Sequence, residues 1–302
     1  MLQIHNISNR IKNIVRRFLY PILNQLQNYY LKNLTKNWNL DIDLYSIGQR
    51  GNDYQRHRRK VNYYQNIKGK RILIAGCGSG KDVLSWAIYS PKEIIAVDLF
   101  EYSAEWQEVK RQVQDLALNV DIKFVVADLE RLDKFQDQEF DFVVSDAVFE
   151  HIQNLPVVLS QLHRVLKQGG LLYAGFGPLW YTHGGDHVSG YDSLQNGFSH
   201  LIMDQDSYSK YLDGKGPYVH DEDDGRTWIK NNLFSYLKPH EYISHIQNAG
   251  FTKIYNRALL SEKALKLYKT NQLPAILRDN KIQDILIFGM IIIYSKNDQI
   301  TF

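Results

Sequence analysis

The chain has 302 residues, of which 44% are hydrophobic and 23% are charged, and it contains one cysteine, Cys77. This length fits one large α/β domain with additions or two small domains, and no apolar run reaches the roughly 18 residues that a membrane-spanning helix needs. A single cysteine excludes an internal disulfide framework and is typical of a reducing compartment, so we expect a cytoplasmic protein.

The net charge of +3 is unevenly distributed, because residues 1–70 hold 13 Lys and Arg against 3 Asp and Glu. Between residues 8 and 40 the apolar side chains recur at helical spacing, which predicts an amphipathic helix. We interpret 1–70 as a basic helical extension that packs on the domain or covers its active site as a lid. The alternatives are peripheral contact with an anionic membrane and contact with nucleic acid. A second basic group is either solvated or faces a phosphate: Arg56, Arg58, Arg59 and Lys60.

A strand followed by a glycine-rich turn comes next, in Arg71–Asp82 (RILIAGCGSGKD). The apolar run Ile72–Ala75 predicts a strand buried on both faces, and the apolar spacing after the turn predicts a helix. Gly76, Gly78 and Gly80 connect the two. Glycine permits backbone angles closed to other residues and lets a ligand approach the chain closely, as nucleotide-binding α/β folds require.

The sequence of this turn can be compared with three known patterns of ligand-binding loop. A phosphate-binding P-loop would need glycine at Ala75 and Ser or Thr at Asp82. A dinucleotide loop, G-x-G-x-x-G/A, would need a small residue where Lys81 stands. The third pattern, G-x-G-x-G after a first strand, resembles motif I of the class I S-adenosylmethionine (SAM) methyltransferases. Ile74 stands where that family usually has an acidic residue.

From residue 71 onward the chain alternates strand and helix, which predicts a parallel sheet with right-handed crossovers. The second strand, EIIAVDLF, ends in Asp98, 22 residues after Gly76. A carboxylate at this place in nucleotide-binding α/β folds binds a ribose diol. The third strand ends in Asp128-Leu129, the fourth is FDFVVSDAVFEHI, and the fifth is GGLLYAGFGP.

Two later motifs extend the resemblance to class I methyltransferases that act on small molecules. Glu150-His151-Ile152 follows strand four, and Arg164–Gly170 (RVLKQGG) ends the next helix, as in that family. The resemblance covers most of 71–178. It implies SAM as cofactor, S-adenosylhomocysteine as product, and a Rossmann-like α/β core: a seven-stranded, mostly parallel, doubly wound sheet with strand seven antiparallel between strands five and six. It places the cofactor against Ala75, Gly76, Cys77, Gly78, Gly80, Asp98, Leu99, Asp128, Leu129, Asp146 and Ala147.

The remaining chain divides around this core of residues 71–178. Residues 179–236 lack the rhythm of a sheet and are rich in glycine and aromatic residues, which predicts a substrate-covering cap inserted after strand five. Residues 237–302 predict strands six and seven, with a helical insertion at 261–283.

The chemistry expected of such an enzyme selects candidates in and near the cap. Methyl transfer from SAM is a displacement for which the protein supplies alignment and, for a hydroxyl acceptor, a base. We select His187 as this base, oriented by Asp186 or another carboxylate, with His183 and His151 next and Glu150 as a residue that could orient a histidine. These residues predict O-methylation of a specialised metabolite that is polyketide- or lipid-like.

Other functions are weighed against this one. His183, Asp186 and His187 have a spacing that would suit a metal, but the glycines between them favour a loop, and we expect no metal. Methyltransferases of nucleic-acid amines carry (N/D/S)-P-P-(Y/F/W) where this chain has Ser145–Val148, so we expect no nucleic-acid partner. The alternatives left open are N- or C-methylation of a small molecule, an NAD-dependent oxidoreductase, and a non-catalytic SAM-binding accessory protein. Nothing in the sequence specifies an oligomeric state.

Overall fold

A computed structural model describes residues 20–48, 54–215 and 225–297. The chain divides into two compact units, residues 1–39 and residues 40–302. In the first unit the structure describes one helix, α1 (Tyr20–Thr35). The helix predicted between residues 8 and 40 is present over this range, and its part before residue 20 lies outside the described residues. No described helix is both long enough and apolar enough to cross a membrane.

The second unit is built on one eight-stranded sheet. Its strands are β1 (Leu44–Ile47), β2 (Arg71–Ala75), β3 (Glu93–Asp98), β4 (Asp121–Val126), β5 (Phe140–Asp146), β6 (Leu166–Phe176), β7 (Thr252–Leu260) and β8 (Ile287–Ser295). They lie in the order β1-β7-β8-β6-β5-β2-β3-β4. Only β8 runs antiparallel to its neighbours, β6 and β7. The predicted mostly parallel α/β sheet is thus confirmed, with the last strand inserted between the two before it.

The predicted number of strands was wrong by one. The additional strand is β1, which pairs in parallel with β7 at the edge of the sheet. It has four residues, LYSI, only half-buried. So short a run, within a basic segment, has too little alternation to be recognised in the sequence.

Helices cover both faces of the sheet. They are α2 (Tyr54–Tyr64), α3 (Lys81–Ala87), α4 (Ser103–Asp115), α5 (Leu155–Val165), α6 (Ser199–Ile202), α7 (Gln205–Asp213), α8 (Gly225–Lys230), α9 (Pro239–Asn248), α10 (Glu262–Lys269) and α11 (Ile282–Leu286). Val61 of α2, Trp86 of α3 and Trp106 of α4 share one core cluster with Ile74 of β2. The alternate residue Leu73 is also fully buried, so the opposite face is covered as well.

The carboxyl ends of the parallel strands meet at one edge of the sheet, where open α/β folds bind ligands. The described part of 179–236 follows β6 at this edge and contains α6, α7 and α8 but no strand. The segment 261–283 contains α10 and the first residues of α11. The division into a cap at 179–236 and a helical insertion at 261–283 stays a prediction, as do the roles of both segments.

Candidate active site

The glycine loop after β2 needs its three glycines for different reasons. Gly76, Gly78 and Gly80 have φ values of 76°, 45° and 85°, a region that favours glycine. A Cβ on Gly76 would lie 2.3 Å from Val148 Cγ2, and one on Gly80 would lie 3.0 Å from the Phe124 ring. Around Gly78 no atom lies within 4 Å of the position of a Cβ. Gly76 and Gly80 are therefore required because neighbouring side chains leave no room for a Cβ. Gly78 instead leaves the backbone accessible to a ligand.

Ala75 and Cys77 flank Gly76 at the base of this loop. The carbonyl of Ala75 accepts a hydrogen bond from Ser145 Oγ at 2.8 Å. The N–H groups of Gly76 and Cys77 both donate to Val97 O, at 2.9 and 3.0 Å. Burial raises the pKa of the Cys77 thiol, which therefore stays protonated. This environment is that of a small filler residue, and the predicted contact of Ala75, Gly76 and Cys77 with the cofactor stays a prediction.

Both backbone polar groups of Gly78, its N–H and its C=O, form hydrogen bonds with side chains. Asp98, at the end of β3, accepts the Gly78 N–H on Oδ2 at 2.7 Å and the Phe100 N–H on Oδ1 at 3.1 Å. Trp106 Nε1 donates to Gly78 O at 2.8 Å, and the indole stacks on Phe124 with 5.0 Å between ring centroids. A carboxylate has about four lone-pair positions, so Asp98 can still accept ribose hydroxyls. Trp106 was not predicted as a site residue, because it lies 28 residues beyond Gly78 and no local pattern links the two.

An exposed apolar patch adjoins Asp98. Leu99 and Phe100 are 53% and 52% exposed, and Val126, the β4 residue paired with Asp98, is 42% exposed. Large apolar side chains grouped in this way mark a ligand surface more often than chance exposure. Leu99 was predicted to contact the cofactor, whereas Phe100 and Val126 were not.

Asp128 and Leu129 follow β4; Asp128 is exposed and Leu129 is half-buried. The Oδ1 atom of Asp128 accepts the N–H of Glu130 at 2.9 Å, which forms a tight turn. The predicted contact of these two residues with the cofactor stays a prediction.

Asp146, at the end of β5, is part of a buried ionic network. Arg58 of α2 donates to Asp146 Oδ2 at 2.8 Å and to Asp82 Oδ1 at 2.6 Å, and its side chain is 3% exposed. Tyr173 OH donates to Asp146 Oδ1 at 2.9 Å. Burial, with the Asp82 charge, raises the pKa of Asp146 to about 7, while Arg58 acts in the opposite direction. Arg58 is therefore a buried ion-pair partner and not part of a solvated patch.

Ala147 follows Asp146 with a φ of 57°, and its N–H donates to Gly175 O at 2.7 Å. This turn directs the chain into the 3-10 turn Phe149–His151. Glu150 in that turn is buried, and its Oε1 accepts the Gly177 N–H at 2.9 Å. Burial raises the pKa of Glu150, and among the described residues its Oε2 has no hydrogen-bond partner. Glu150 thus joins the ends of β5 and β6, and the described contacts include no bond from its carboxylate to a histidine.

His151 and His187 face each other across the end of β5 and the cap. Their ring centroids are 5.0 Å apart, and the Trp228 ring lies 4.5 Å from each. His151 Nδ1 is 2.8 Å from Leu233 O, so this nitrogen carries the proton and Nε2 keeps a lone pair. Burial lowers the pKa of His187 well below its usual value, and its buried Nε2 has no partner among the described residues.

Asp186 and His183 are engaged within the cap. Asp186 accepts hydrogen bonds from the backbone N–H groups of Val188 and Ser189, from Ser189 Oγ and from Tyr208 OH, at 2.6 to 3.1 Å. His183 Nε2 is 2.9 Å from Leu194 O. Because these partners occupy Asp186, the described contacts do not include the predicted orientation of His187 by this carboxylate. Among residues 20–48, 54–215 and 225–297, no three His, Cys, Asp or Glu side chains are grouped to hold a metal, and this covers the candidates His183, Asp186 and His187.

Comparison with known proteins identifies the core. Residues 73–174 match a family model described as a methyltransferase domain. These residues form a class I, SAM-dependent methyltransferase domain. The family assignment replaces the NAD-dependent alternative and gives SAM as the cofactor of the domain.

The relatives of this methyltransferase domain differ in their acceptors. The chain is 26% identical over 211 residues to malonyl-[acyl-carrier protein] O-methyltransferase 2 of Ilyobacter polytropus, a match covering 69% of this chain and 74% of that protein. It is 28% identical over 122 residues to sterol 24-C-methyltransferase of Pneumocystis carinii, covering 40% of this chain and 31% of that protein. The chain spans less than half the length of two of the curated relatives that it matches.

A solved structure supports the fold. A putative sarcosine dimethylglycine methyltransferase from Galdieria sulphuraria superposes with a TM-score of 0.51 at 12% identity, over 90% of this chain and 98% of that one. The residues present also suit the cofactor of the methyltransferase domain. Backbone is open at Gly78, the Asp98 carboxylate lies beside it, and the apolar patch of Leu99, Phe100 and Val126 adjoins both.

Proposed function

We propose that this protein transfers the methyl group of SAM to a hydroxyl group of a small molecule with a substantial apolar part. The observation that carries the proposal is the pair His151 and His187, which lies directly beyond the Asp146-Ala147 turn of the methyltransferase domain. One histidine belongs to the core and the other to the cap, so an acceptor held between them would contact both parts.

The cofactor would be held by residues already in place. Asp98 would accept hydrogen bonds from the ribose hydroxyls, and Leu99, Phe100 and Val126 would pack on the adenine ring. The Gly78 peptide, fixed by Asp98 and Trp106, would keep the loop in its open conformation. When bound, SAM supplies an electrophilic methyl group on a sulfonium.

We propose His151 as the general base. Its Nδ1–H group donates to Leu233 O, which fixes the tautomer in which Nε2 accepts a proton. His187 is not assigned as the base because burial lowers its pKa well below the usual value, and a proton acceptor works best with a pKa near the operating pH. His187 would instead accept a hydrogen bond from the acceptor on Nε2. The order predicted from sequence, with His187 first, is reversed in this proposal for that reason.

An apolar acceptor is favoured by the aromatic side chains around the two histidines. The ring centroid of Phe234 lies 5.3 Å from that of His151 and 4.8 Å from that of Trp180. The ring centroids of Trp180 and Tyr236 are 4.7 Å apart. Aromatic walls of this kind bind flat or extended apolar molecules through area and ring geometry. The names of the relatives include both O- and C-methyltransferases, so the preference for oxygen rests on the histidine pair alone.

The test has two stages. Calorimetric titration of the ligand-free protein with S-adenosylhomocysteine should show binding, and NADH should show none. A panel of hydroxylated aromatic and aliphatic compounds, paired with their O-methylated and C-methylatable analogues, is then assayed with labelled SAM. Transfer to hydroxyl groups supports the proposal; transfer only to carbon or nitrogen refutes the O-methyltransferase assignment. Cofactor binding with no turnover of any acceptor would favour the non-catalytic accessory protein.

A further inference from the structure

Arg257 of β7 is a buried cation for which residues 20–48, 54–215 and 225–297 supply no carboxylate partner. Its side chain belongs to a residue only 7% exposed, and its Nε donates to Ser46 Oγ of β1 at 2.9 Å. Among the described residues, no carboxylate lies within ion-pair distance of its guanidinium. Buried charges in proteins are normally paired, because the loss of hydration is otherwise uncompensated. The guanidinium is therefore suited to take an external anion as its counterion.

A second cation converges on the same place. Lys60 of α2 lies with its Nζ 3.2 Å from the ring centroid of Tyr255, which is two residues before Arg257 on β7. Lys60 is half-buried and forms no ion pair among the residues the structure describes. The Lys60 ammonium and the Arg257 guanidinium thus approach Tyr255 from two different elements.

The surrounding charges leave this pair positive. Arg56 adds a third positive charge, and it lowers the pKa of both Lys60 and Arg257 in addition to the larger effect of burial. Asp43 is the carboxylate that acts on Lys60. However, Asp43 is shared, since its Oδ1 lies 3.1 Å from Lys253 Nζ and its Oδ2 accepts the Asn256 N–H at 2.7 Å.

Strand register relates this pair to the methyl-transfer region. Arg257 pairs with Ile291, Ile291 pairs with Gly175, and Gly175 pairs with Asp146. The row places Arg257 level with Asp146, three strand spacings or ~14 Å away. The next row of paired residues on the same side, Tyr255, Ile293, Tyr173 and Val144, shares one core cluster, so both rows lie on a single face of the sheet. Helix α2 crosses that face, with Arg58 at Asp146 and Lys60 at Tyr255.

We propose that Lys60 and Arg257 bind an anionic group, a phosphate or a carboxylate, carried by the molecule that is methylated. A guanidinium binds such a group through two parallel N–H donors, and the ammonium adds a second charge. The bound anion supplies a counterion that the described residues do not. The acceptor is then an amphiphile whose anionic end binds at β7. This identification of the occupant rests on the proposed function, whereas anion binding itself does not.

The experiment uses inorganic phosphate as the probe and the thermal midpoint of the full chain as the readout. The variants are Lys60→Met and Arg257→Met, and Lys92→Met is the matched control, because Lys92 is exposed and lies between α3 and β3. At equal ionic strength, phosphate should raise the midpoint of the wild type and of the control more than chloride does. Each of the other two variants should weaken phosphate binding about tenfold or more.

Two results would contradict anion binding by Lys60 and Arg257. Equal shifts in phosphate and chloride, or an undiminished phosphate shift in both variants, would overturn the proposal. In chloride alone, Arg257→Met should be as stable as the wild type or more stable, because it removes a buried charge that has no carboxylate partner among the described residues. A large loss of stability there would instead assign Arg257 a structural role. Should that variant fail to fold, Lys60→Met decides by the same criterion.

A final titration separates the acceptor from the cofactor as the source of the anion. Phosphate is titrated with saturating S-adenosylhomocysteine present. Retained phosphate affinity, within about twofold, supports an acceptor site that is independent of the cofactor. Competition between the two would show that Lys60 and Arg257 bind the carboxylate of the cofactor, and would overturn the assignment to the acceptor. Absence of S-adenosylhomocysteine binding would refute the proposed function. The phosphate titration would then still test anion binding by Lys60 and Arg257 independently.

Discussion

Trp106 allows a sharp test of how the glycine loop binds the cofactor. Substitution of Trp106 by Phe removes the Nε1–H donor to Gly78 O, a hydrogen bond of 2.8 Å, but keeps an aromatic ring that can stack on Phe124. Leaving a partly buried carbonyl without its donor costs ~1 kcal/mol, which corresponds to about a fivefold change in an equilibrium constant. We therefore expect the dissociation constant for S-adenosylhomocysteine to rise about fivefold.

The chain contains a matched control for this substitution. Trp86 is fully buried, and among the described residues its Nε1 has no hydrogen-bond partner. Trp86→Phe makes the same chemical change without removing a hydrogen bond, so it should leave cofactor affinity unchanged while lowering stability through lost packing. Calorimetric titration measures the affinity, and urea unfolding measures the stability. Equal affinities for Trp106→Phe and wild type, or equal losses in both variants, would refute this account of the loop.

Three further predictions concern the rest of the site. Asp98→Ala should weaken S-adenosylhomocysteine binding by ~1–3 kcal/mol in calorimetry, because ribose hydroxyls and the Gly78 N–H lose their acceptor; an unchanged affinity would contradict the ribose assignment. His151→Gln should lower kcat ~10²- to 10⁴-fold with cofactor affinity preserved, whereas the control His163→Gln, at a histidine packed on Phe251, should not; equal turnover in both variants would remove His151 as the base. The raised pKa of Asp146 means that the folded state holds a proton that the unfolded state releases, so this residue favours folding at low pH, and its contribution falls as pH rises from about 4 to about 7. Asp146→Asn should flatten the pH dependence of the free energy of unfolding over that window, and an unaltered slope would contradict the assignment of this titration.

Much of the fold could be predicted because the strands of the core are short apolar runs with glycine or charged residues at their ends. Ile72–Ala75 is such a run, and it is buried as expected. The glycine loop and the carboxylate of Asp98 were recognisable for the same reason, since the turn and the strand end have fixed places in an α/β sheet. Strand β1 was not recognisable, because its pairing with β7 is a contact across more than 200 residues.

The contacts that organise the site were less predictable. Arg58 binds Asp146, which lies 88 residues later in the sequence, and no local sequence pattern predicts that pairing. Asp186 was assigned to catalysis because it adjoins His187, but its side chain bonds to the backbone two and three residues ahead and to Ser189. Aspartate commonly makes such local turns, and the serine three positions later was the available signal.

The salt bridges of Arg58 have a consequence for where this protein can be shortened. The family model begins at residue 73 and the first long strand begins at Arg71, so either position looks like a natural place to start a truncated form. A chain starting there would lack α2 and β1. It would leave Asp82 and Asp146 facing each other without the guanidinium between them, and it would uncover the edge of β7 that pairs with β1. Such a fragment would carry the whole family signature and still present two uncompensated carboxylates and an unpaired strand edge, the conditions under which a sheet aggregates.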